Sequence, residues 1–161
     1  MKSLILIRHA KSSWDLPVSD KDRELIDIGI ESIKIVAKKA ESILPSPYTI
    51  WSSSAKRASQ TAHLFCKTLS IDDNVINFKD ELYTFDEYDL AQIIKKCPDE
   101  IENLIVFGHN GALTDFVNKF GDKLIYNVPT AGLVFVKFEE NTWSNIQKGK
   151  TIHTIFPKEI T

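Results

Sequence analysis

The stretch Leu4-Ile5-Leu6-Ile7-Arg8-His9-Ala10-Lys11-Ser12-Ser13-Trp14-Asp15 decides how the rest of the chain is read. Four apolar β-formers in an unbroken run predict a strand buried on both faces, as in a parallel sheet. Arg8 and His9 follow at once, where the strand leaves the sheet. In open α/β proteins that edge is where ligands bind. On this stretch alone, a strand end solvated by two polar residues is the simpler reading. The remaining sequence has to decide between the two.

Moving outward, 161 residues is the length of one domain with one core, so a single domain over 1–161 is expected. A chain 43% hydrophobic and 26% charged is ordinary for a soluble globular protein and is not disordered. Twenty Lys and Arg stand against 22 Asp and Glu. That balance gives no support for general binding to nucleic acid or an anionic membrane. Any anion site must then be a local cluster. Cys66 and Cys97 have no motif spacing and read as reduced thiols of a cytoplasmic protein. The opening apolar run is too short for a signal peptide, and no stretch approaches the length of a membrane span.

After Asp15 comes a charged loop over 16–24, too long for a tight turn, of a kind that often carries function. Asp20 and Arg23 are its members most able to reach back over the strand end. A helix follows over 27–43, with apolar residues every three or four positions. A second strand, 48–51, ends in Ser52-Ser53-Ser54 and leads to a helix running to about residue 69. Arg57 sits in the first turn of that helix, off its apolar stripe. A cation is disfavoured there by the helix dipole, yet an arginine beside a strand end suits an anion site. A short strand is expected over 74–78, loop over 79–85 and a helix over 86–96.

Leu104-Ile105-Val106-Phe107-Gly108-His109-Asn110-Gly111 repeats the opening pattern. An apolar strand runs into glycine and histidine before a helix that ends near Gly121. Residues 132–138 read as a further strand, with 143–148 as its hairpin partner and 152–156 along the surface. The alternation of strands and helices predicts an α/β fold, a three-layer α/β/α sandwich with a mostly parallel sheet and an antiparallel edge.

In such a sheet the C-terminal ends of the strands share one edge, so Arg8, His9, Arg57 and His109 converge. Two arginines and two histidines, with no obvious counter-acid in the sequence, suit a dense anion such as phosphate. A histidine in such a pocket can attack phosphorus and carry it covalently, and neighbouring cations stabilise the charge of an in-line transfer. A metal site is weaker. Neither His-x-x-x-His nor Cys-x-x-Cys is present, and the arginines would repel a cation. No metal and no cofactor is expected. There is no glycine-rich nucleotide loop either. His63 reads as a helix-surface residue and His153 as a tail residue.

Arg8-His9-Ala10, Ser54-Ala55-Lys56-Arg57-Ala58-Ser59-Gln60-Thr61-Ala62 and Val106-Phe107-Gly108-His109-Asn110, in that order, resemble the histidine phosphatase (phosphoglycerate mutase-like) superfamily. The usual Arg-His-Gly is Arg-His-Ala here. The Arg8-His9-Ala10-Lys11-Ser12 segment, the loop Asp20-Lys21-Asp22-Arg23-Glu24-Leu25 leading to Gly29 and the short length look like the SixA-type phosphohistidine phosphatases. The resemblance implies a phosphoglycerate mutase-like fold with His9 as nucleophile. It implies that Arg8, Arg57 and His109 form the phosphate pocket, with Ser12 and the Asn110 backbone as further phosphate contacts. Mutase-like members place a glutamate after the third strand as general acid, and Glu81 is the nearest match. Asp22 and Asp86 are weaker candidates. Asp15 stands where mutase-like relatives often have asparagine, and a direct phosphate contact is not expected of it.

An alcohol leaving a phosphate monoester needs a proton, whereas the imidazole of phosphohistidine is a better leaving group. A site short of a strong acid therefore fits a P–N substrate. The expected activity is a metal-independent phosphatase of phosphohistidine on a partner protein, through a covalent intermediate. A small-molecule phosphomonoesterase or mutase of the same fold, and a catalytically silent phosphate-binding domain, are the alternatives.

Overall fold

The computed structural model describes residues 1–159; Ile160 and Thr161, the end of the expected 1–161 domain, lie outside the described residues. β1 (Lys2–Arg8), α1 (Asp27–Ala40), β2 (Thr49–Ser53), α2 (Lys56–Thr68), β3 (Ile76–Lys79), α3 (Glu87–Lys95), β4 (Asn103–Gly108), α4 (Ala112–Phe120), β5 (Leu133–Phe138) and β6 (Lys150–Ile155) follow in order. The strands form one sheet in the order β3-β2-β4-β1-β5-β6. The pairs β3–β2, β2–β4 and β4–β1 are parallel. The pairs β1–β5 and β5–β6 are antiparallel. The expected three-layer α/β architecture, mostly parallel with an antiparallel side, is the one observed.

Strand periodicity builds the two outer layers, because successive side chains point to opposite faces. Ile5, Ile7, Ile105 and Phe107 pack under α1 and α2 with Ile33, Val36 and Phe65. Leu4, Leu6, Leu104 and Val106 pack under α3 and α4 with Leu90, Ile94, Leu113 and Phe116. β1 and β4 are covered on both sides, which is why they read as unbroken apolar runs. Each such side chain contributes about 1.5–3 kcal/mol on full burial. The two strands run in register from Ser3 opposite Asn103 to Arg8 opposite Gly108. That register delivers His9 and His109 together at one sheet edge.

The C-terminal part departs from the expected hairpin. The partner of β5 is Lys150–Ile155, which takes in all but the last residue of the 152–156 stretch expected along the surface, and not 143–148. Trp143 opens a short 3-10 turn, Trp143–Asn145, and is fully buried. Its indole Nε1–H donates to the Ile101 carbonyl at 2.7 Å and its backbone N–H to Asp99 Oδ1 at 2.9 Å. A large aromatic gains more from that pocket than from an edge strand. Gly149 then lets the chain re-enter the sheet, since a Cβ there would stand 2.4 Å from the Lys137 carbonyl oxygen. Expected as a tail residue, His153 lies in β6, its ring tilted against that of Phe135 at a centroid distance of 5.8 Å. Among the described residues no helix is long and apolar enough to cross a membrane.

Candidate active site

The parallel strands β1, β2 and β4 end on the same edge, and each delivers part of the site. β1 ends in Arg8 and hands the chain to His9. β4 ends in Gly108, before His109, and His9 N–H donates to the Gly108 carbonyl at 3.0 Å. β2 ends in Ser53 and leads into α2 with Arg57 in its first turn. The loop before β5 completes the edge: Arg8 N–H donates to Gly132 O, and Ala131 N–H to the Arg8 and His9 carbonyls.

His9 is 7% exposed. Its Nδ1 lies 2.7 Å from the Ala10 carbonyl oxygen. A carbonyl only accepts, so Nδ1 carries the ring proton and Nε2 keeps the lone pair. Arg57 Nε–H donates to that Nε2 at 3.4 Å, in agreement with this tautomer. Burial pushes the His9 imidazole down to about 3; its hydrogen bond to Ala10 opposes the shift, and the charges of Arg57, Arg8 and Arg23 add to it. His9 is therefore neutral around pH 7, as a nucleophile must be. Thr61 holds this geometry from behind. Its hydroxyl accepts from Ala10 N–H at 2.9 Å and donates to the Arg57 carbonyl at 2.7 Å. Thr61 falls one helical turn after Arg57, which is the only sequence signal for it.

His109 is 1% exposed, with its ring centroid 5.3 Å from that of His9. Its Nε2 is 2.9 Å from Ser53 Oγ, which already accepts from Ala55 N–H at 3.2 Å. The network is satisfied when Ser53 donates to Nε2 and Nδ1 carries the proton. Burial holds the His109 imidazole down at about 3, with His9 and Arg57 adding to the effect. Tyr83 and Phe85 meet the His109 ring edge-on, at centroid distances of 5.3 and 5.5 Å. Arg8 Nη1–H donates to the Val128 carbonyl at 2.9 Å. Arg8 Nε and His109 Nδ1 are two of the four buried side-chain polar atoms that lack a protein partner among the described residues. Buried donors of this kind, gathered at one place, suit an anionic ligand.

The cleft over Arg8, His9 and Arg57 has a volume of about 590 Å³, and His109 is not part of its lining. Among the described residues five cations line it, Arg8, Lys11, Arg23, Arg57 and Lys158, against one carboxylate, Asp20. The near-neutral chain thus concentrates positive charge where the sequence placed its anion site. Arg57, read from its spacing as lying off the core stripe, is 1% exposed. What buries it is Asp20, the counter-acid that the sequence had not revealed. Arg57 Nη2–H donates to Asp20 Oδ2 at 3.0 Å and Nη1–H to the Asp20 carbonyl at 2.6 Å. Arg23 Nε–H donates to Asp20 Oδ1 at 3.1 Å, and Tyr83 OH donates to Oδ2. Burial pushes the Asp20 carboxyl up, but the hydrogen bonds of Tyr83 and Arg57, the charge of Arg57 and the hydrogen bond of Arg23 outweigh it and hold it at about 2.

The loop reaches the cleft because it pairs back on the strand exit. Ser13 N–H donates to Glu24 O and Ile26 N–H to Lys11 O, with Ser12 bridged to Leu25. Gly29 permits this approach of α1, since a Cβ there would lie 2.3 Å from the Lys11 carbonyl oxygen. Arg23 spans the loop, with Nη1 2.7 Å from Ser12 Oγ and its guanidinium 3.5 Å from the Trp14 ring centroid.

The other expected residues fall as follows. Ser12 and Asn110 line the cleft; the Asn110 side chain bonds Asn127 and Thr114, and the contact expected of Asn110 is through its backbone. Glu81 lies exposed in the turn Asp80–Leu82 and does not line the cleft. Asp86 caps α3, accepting from Asp89 N–H, and Asp22 accepts from the Ser19 hydroxyl; neither lines the cleft. His63 is exposed and pairs with Asp73 at 3.0 Å. Among the described residues no three His, Cys, Asp or Glu side chains gather as a metal would need.

Residues 4–103 match the family model of the histidine phosphatase superfamily (branch 1). A solved structure assigned as phosphohistidine phosphatase SixA from Agrobacterium tumefaciens is 25% identical, with a TM-score of 0.79 over 96% of this chain and 97% of that one. The protein histidine phosphatase SixA complexed with tungstate is 16% identical, with a TM-score of 0.81 over 99% of each chain. Phosphoserine phosphatase from Entamoeba histolytica, in complex with 3-phosphoglyceric acid, is 13% identical, with a TM-score of 0.67 over 96% of each. At the latter two identities the likeness is one of fold alone. No curated protein matches the chain in sequence.

Proposed function

We propose that this chain, which belongs to the histidine phosphatase superfamily, is a metal-independent phosphatase acting on phosphohistidine carried by a partner protein. The observation that carries the reading is that Asp20 is the one carboxylate lining the cleft among the described residues. Asp20 is held ionised at about 2 and has no proton to give near neutral pH. A phosphate monoester would leave as an alkoxide from such a site. The imidazole of phosphohistidine, protonated on its other nitrogen, leaves as a neutral ring and needs no acid.

The transfer follows from the tautomer. The Nε2 lone pair of His9 attacks phosphorus while Nδ1–H stays on the Ala10 carbonyl. The P–N bond to the substrate ring breaks with its electron pair, and the substrate histidine leaves neutral. Arg8, Arg57 and His109 Nδ1–H donate to the equatorial oxygens, whose charge is greatest in the transition state. Water then attacks phosphorus on His9, the P–Nε2 bond breaks, and Nε2 regains its lone pair. The water's proton leaves with hydrogen phosphate or to solvent. The five cations of the cleft lining favour the bound anion and disfavour a divalent metal in the same place.

The likeness to the 25%-identical structure assigned as SixA supports the same substrate class. The cytoplasm is the proposed compartment. Cys66 and Cys97 are unpaired and buried, with burial pushing their thiols up to about 11 and about 12, as suits a reducing environment.

The test is phosphate release from a panel of phosphohistidine proteins and small monoesters, with His9→Ala as control. Release from the phosphohistidine proteins, lost in His9→Ala, is the expected result. Hydrolysis of monoesters alone would assign a small-molecule phosphatase instead. Anion binding without turnover would mean a silent phosphate-binding domain.

A further inference from the structure

Asp20 takes no part in the transfer just described, although it is the best-connected acid of the cleft. We propose that Asp20, steadied by Tyr83, is a positioning residue that sets the aim of Arg57; the assignment rests on the phosphoryl-transfer reading of His9. The two outer nitrogens of the Arg57 guanidinium are both engaged with Asp20, Nη1 at its carbonyl and Nη2 at its carboxylate. The edge left to face the reaction is Nε–H, directed at His9 Nε2. A phosphoryl group transferred to Nε2 comes into reach of that same N–H. An untethered arginine would grip phosphate with its two-pronged fork. Asp20 occupies the Nη1–Nη2 end of that fork and turns the side bearing Nε–H toward the reacting centre.

Asp20 is itself fixed from three sides. Arg57 and Tyr83 donate to Oδ2 and Arg23 donates to Oδ1. Tyr83 is anchored in turn against the site, edge-on to His109 and with the Arg57 guanidinium carbon 5.8 Å from its ring centroid. It follows the turn after β3, the element where the family resemblance implied a glutamate acid. That place is taken here by a phenol whose proton is committed to Asp20. The hydrogen bond to Asp20, with burial second, pushes the Tyr83 hydroxyl above its usual value, so it is no ready acid. A base role for Asp20 is equally poor, because a carboxylate saturated by three donors binds a proton weakly.

The arrangement sets affinity against rate. A fixed negative charge beside the phosphate pocket weakens binding of any phosphoryl anion. The same charge keeps Arg57 oriented for the transition state, where misplacement is costly. The two effects separate experimentally. In the full-length protein, Asp20→Asn is expected to lower kcat by about tenfold or more, while inorganic phosphate, measured by calorimetry, binds about three- to tenfold more tightly. Tyr83→Phe, which removes only the hydroxyl and leaves the carboxylate charged, is expected to lower kcat by less and to leave phosphate affinity within about twofold of wild type. A merely structural role would weaken phosphate binding and turnover together.

Turnover is read on whichever phosphoryl donor of the panel the wild type hydrolyses. A monoester as that donor would overturn the phosphohistidine assignment and leave the positioning test intact. Unchanged kcat in both variants, or weaker phosphate binding by folded Asp20→Asn, would overturn the positioning role.

Discussion

Acidification from about pH 7.5 to about pH 5 should destabilise this fold through the two buried imidazoles of the candidate site. His9 and His109 are both buried, and both are held near 3 against an ordinary value of 6.5. Below pH 6.5 the unfolded chain gains a proton on each ring while the folded chain does not. The unfolded state binds more protons, so stability falls as pH falls. At pH 5 a histidine of pKa 6.5 in the unfolded state and about 3 in the folded one loses about 2 kcal/mol. The pair together lose about 4 kcal/mol, a large share of the 5–15 kcal/mol typical of a domain. Asp20 stays out of this window, because its depressed value makes its own contribution disappear only below about pH 4. Urea unfolding at the two pH values reads the effect. With a slope of about 2 kcal/mol/M, the midpoint should fall by about 2 M. A His9→Gln/His109→Gln double variant should lose most of that pH dependence. A wild-type midpoint that does not move, or a double variant with the same slope, would refute the reasoning.

Three further outcomes follow from the same structure. Gly29→Ala would place a methyl group 2.3 Å from the Lys11 carbonyl oxygen; it should cost about 1–3 kcal/mol and raise KM by moving the loop that carries Ser12, read by thermal unfolding and steady-state kinetics. Glu81→Gln should leave kcat on phosphohistidine within about twofold of wild type, since Glu81 lies exposed outside the cleft; a large loss would restore it as a general acid. Trp143→Ala, at a fully buried indole, should cost about 3–5 kcal/mol by denaturant titration, with little change in phosphate affinity.

The parts of the molecule legible in the sequence were those whose signal is local. Leu4-Ile5-Leu6-Ile7 and Leu104-Ile105-Val106-Phe107 are apolar throughout because helices cover both faces of β1 and β4, so strand type and the positions of His9 and His109 could be read directly. β6 escaped because Lys150-Thr151-Ile152-His153-Thr154-Ile155 is an edge strand with most of its side chains outside the core. An edge strand has little apolar signal, and the aromatic Trp143 drew the assignment toward itself. Asp20 could be singled out but not given a role. Its partners lie 3, 37 and 63 residues away, and pairings over such separations are set by the packing of the loop on the strand exit. Tyr83 left no trace at all, because a tyrosine in a turn is unremarkable until its hydroxyl is seen to meet a carboxylate.

The central claim is that His9 attacks through Nε2. Its direct test is to stop the reaction of enzyme with a phosphohistidine protein by rapid alkaline quench and to locate the phosphoryl group by mass spectrometry and phosphorus NMR. The expected result is one phosphoryl group on the His9 ring, bonded to Nε2 and absent in His9→Ala. A phosphoryl group on Nδ1, on another residue, or phosphate release with no labelled enzyme at any time would contradict it.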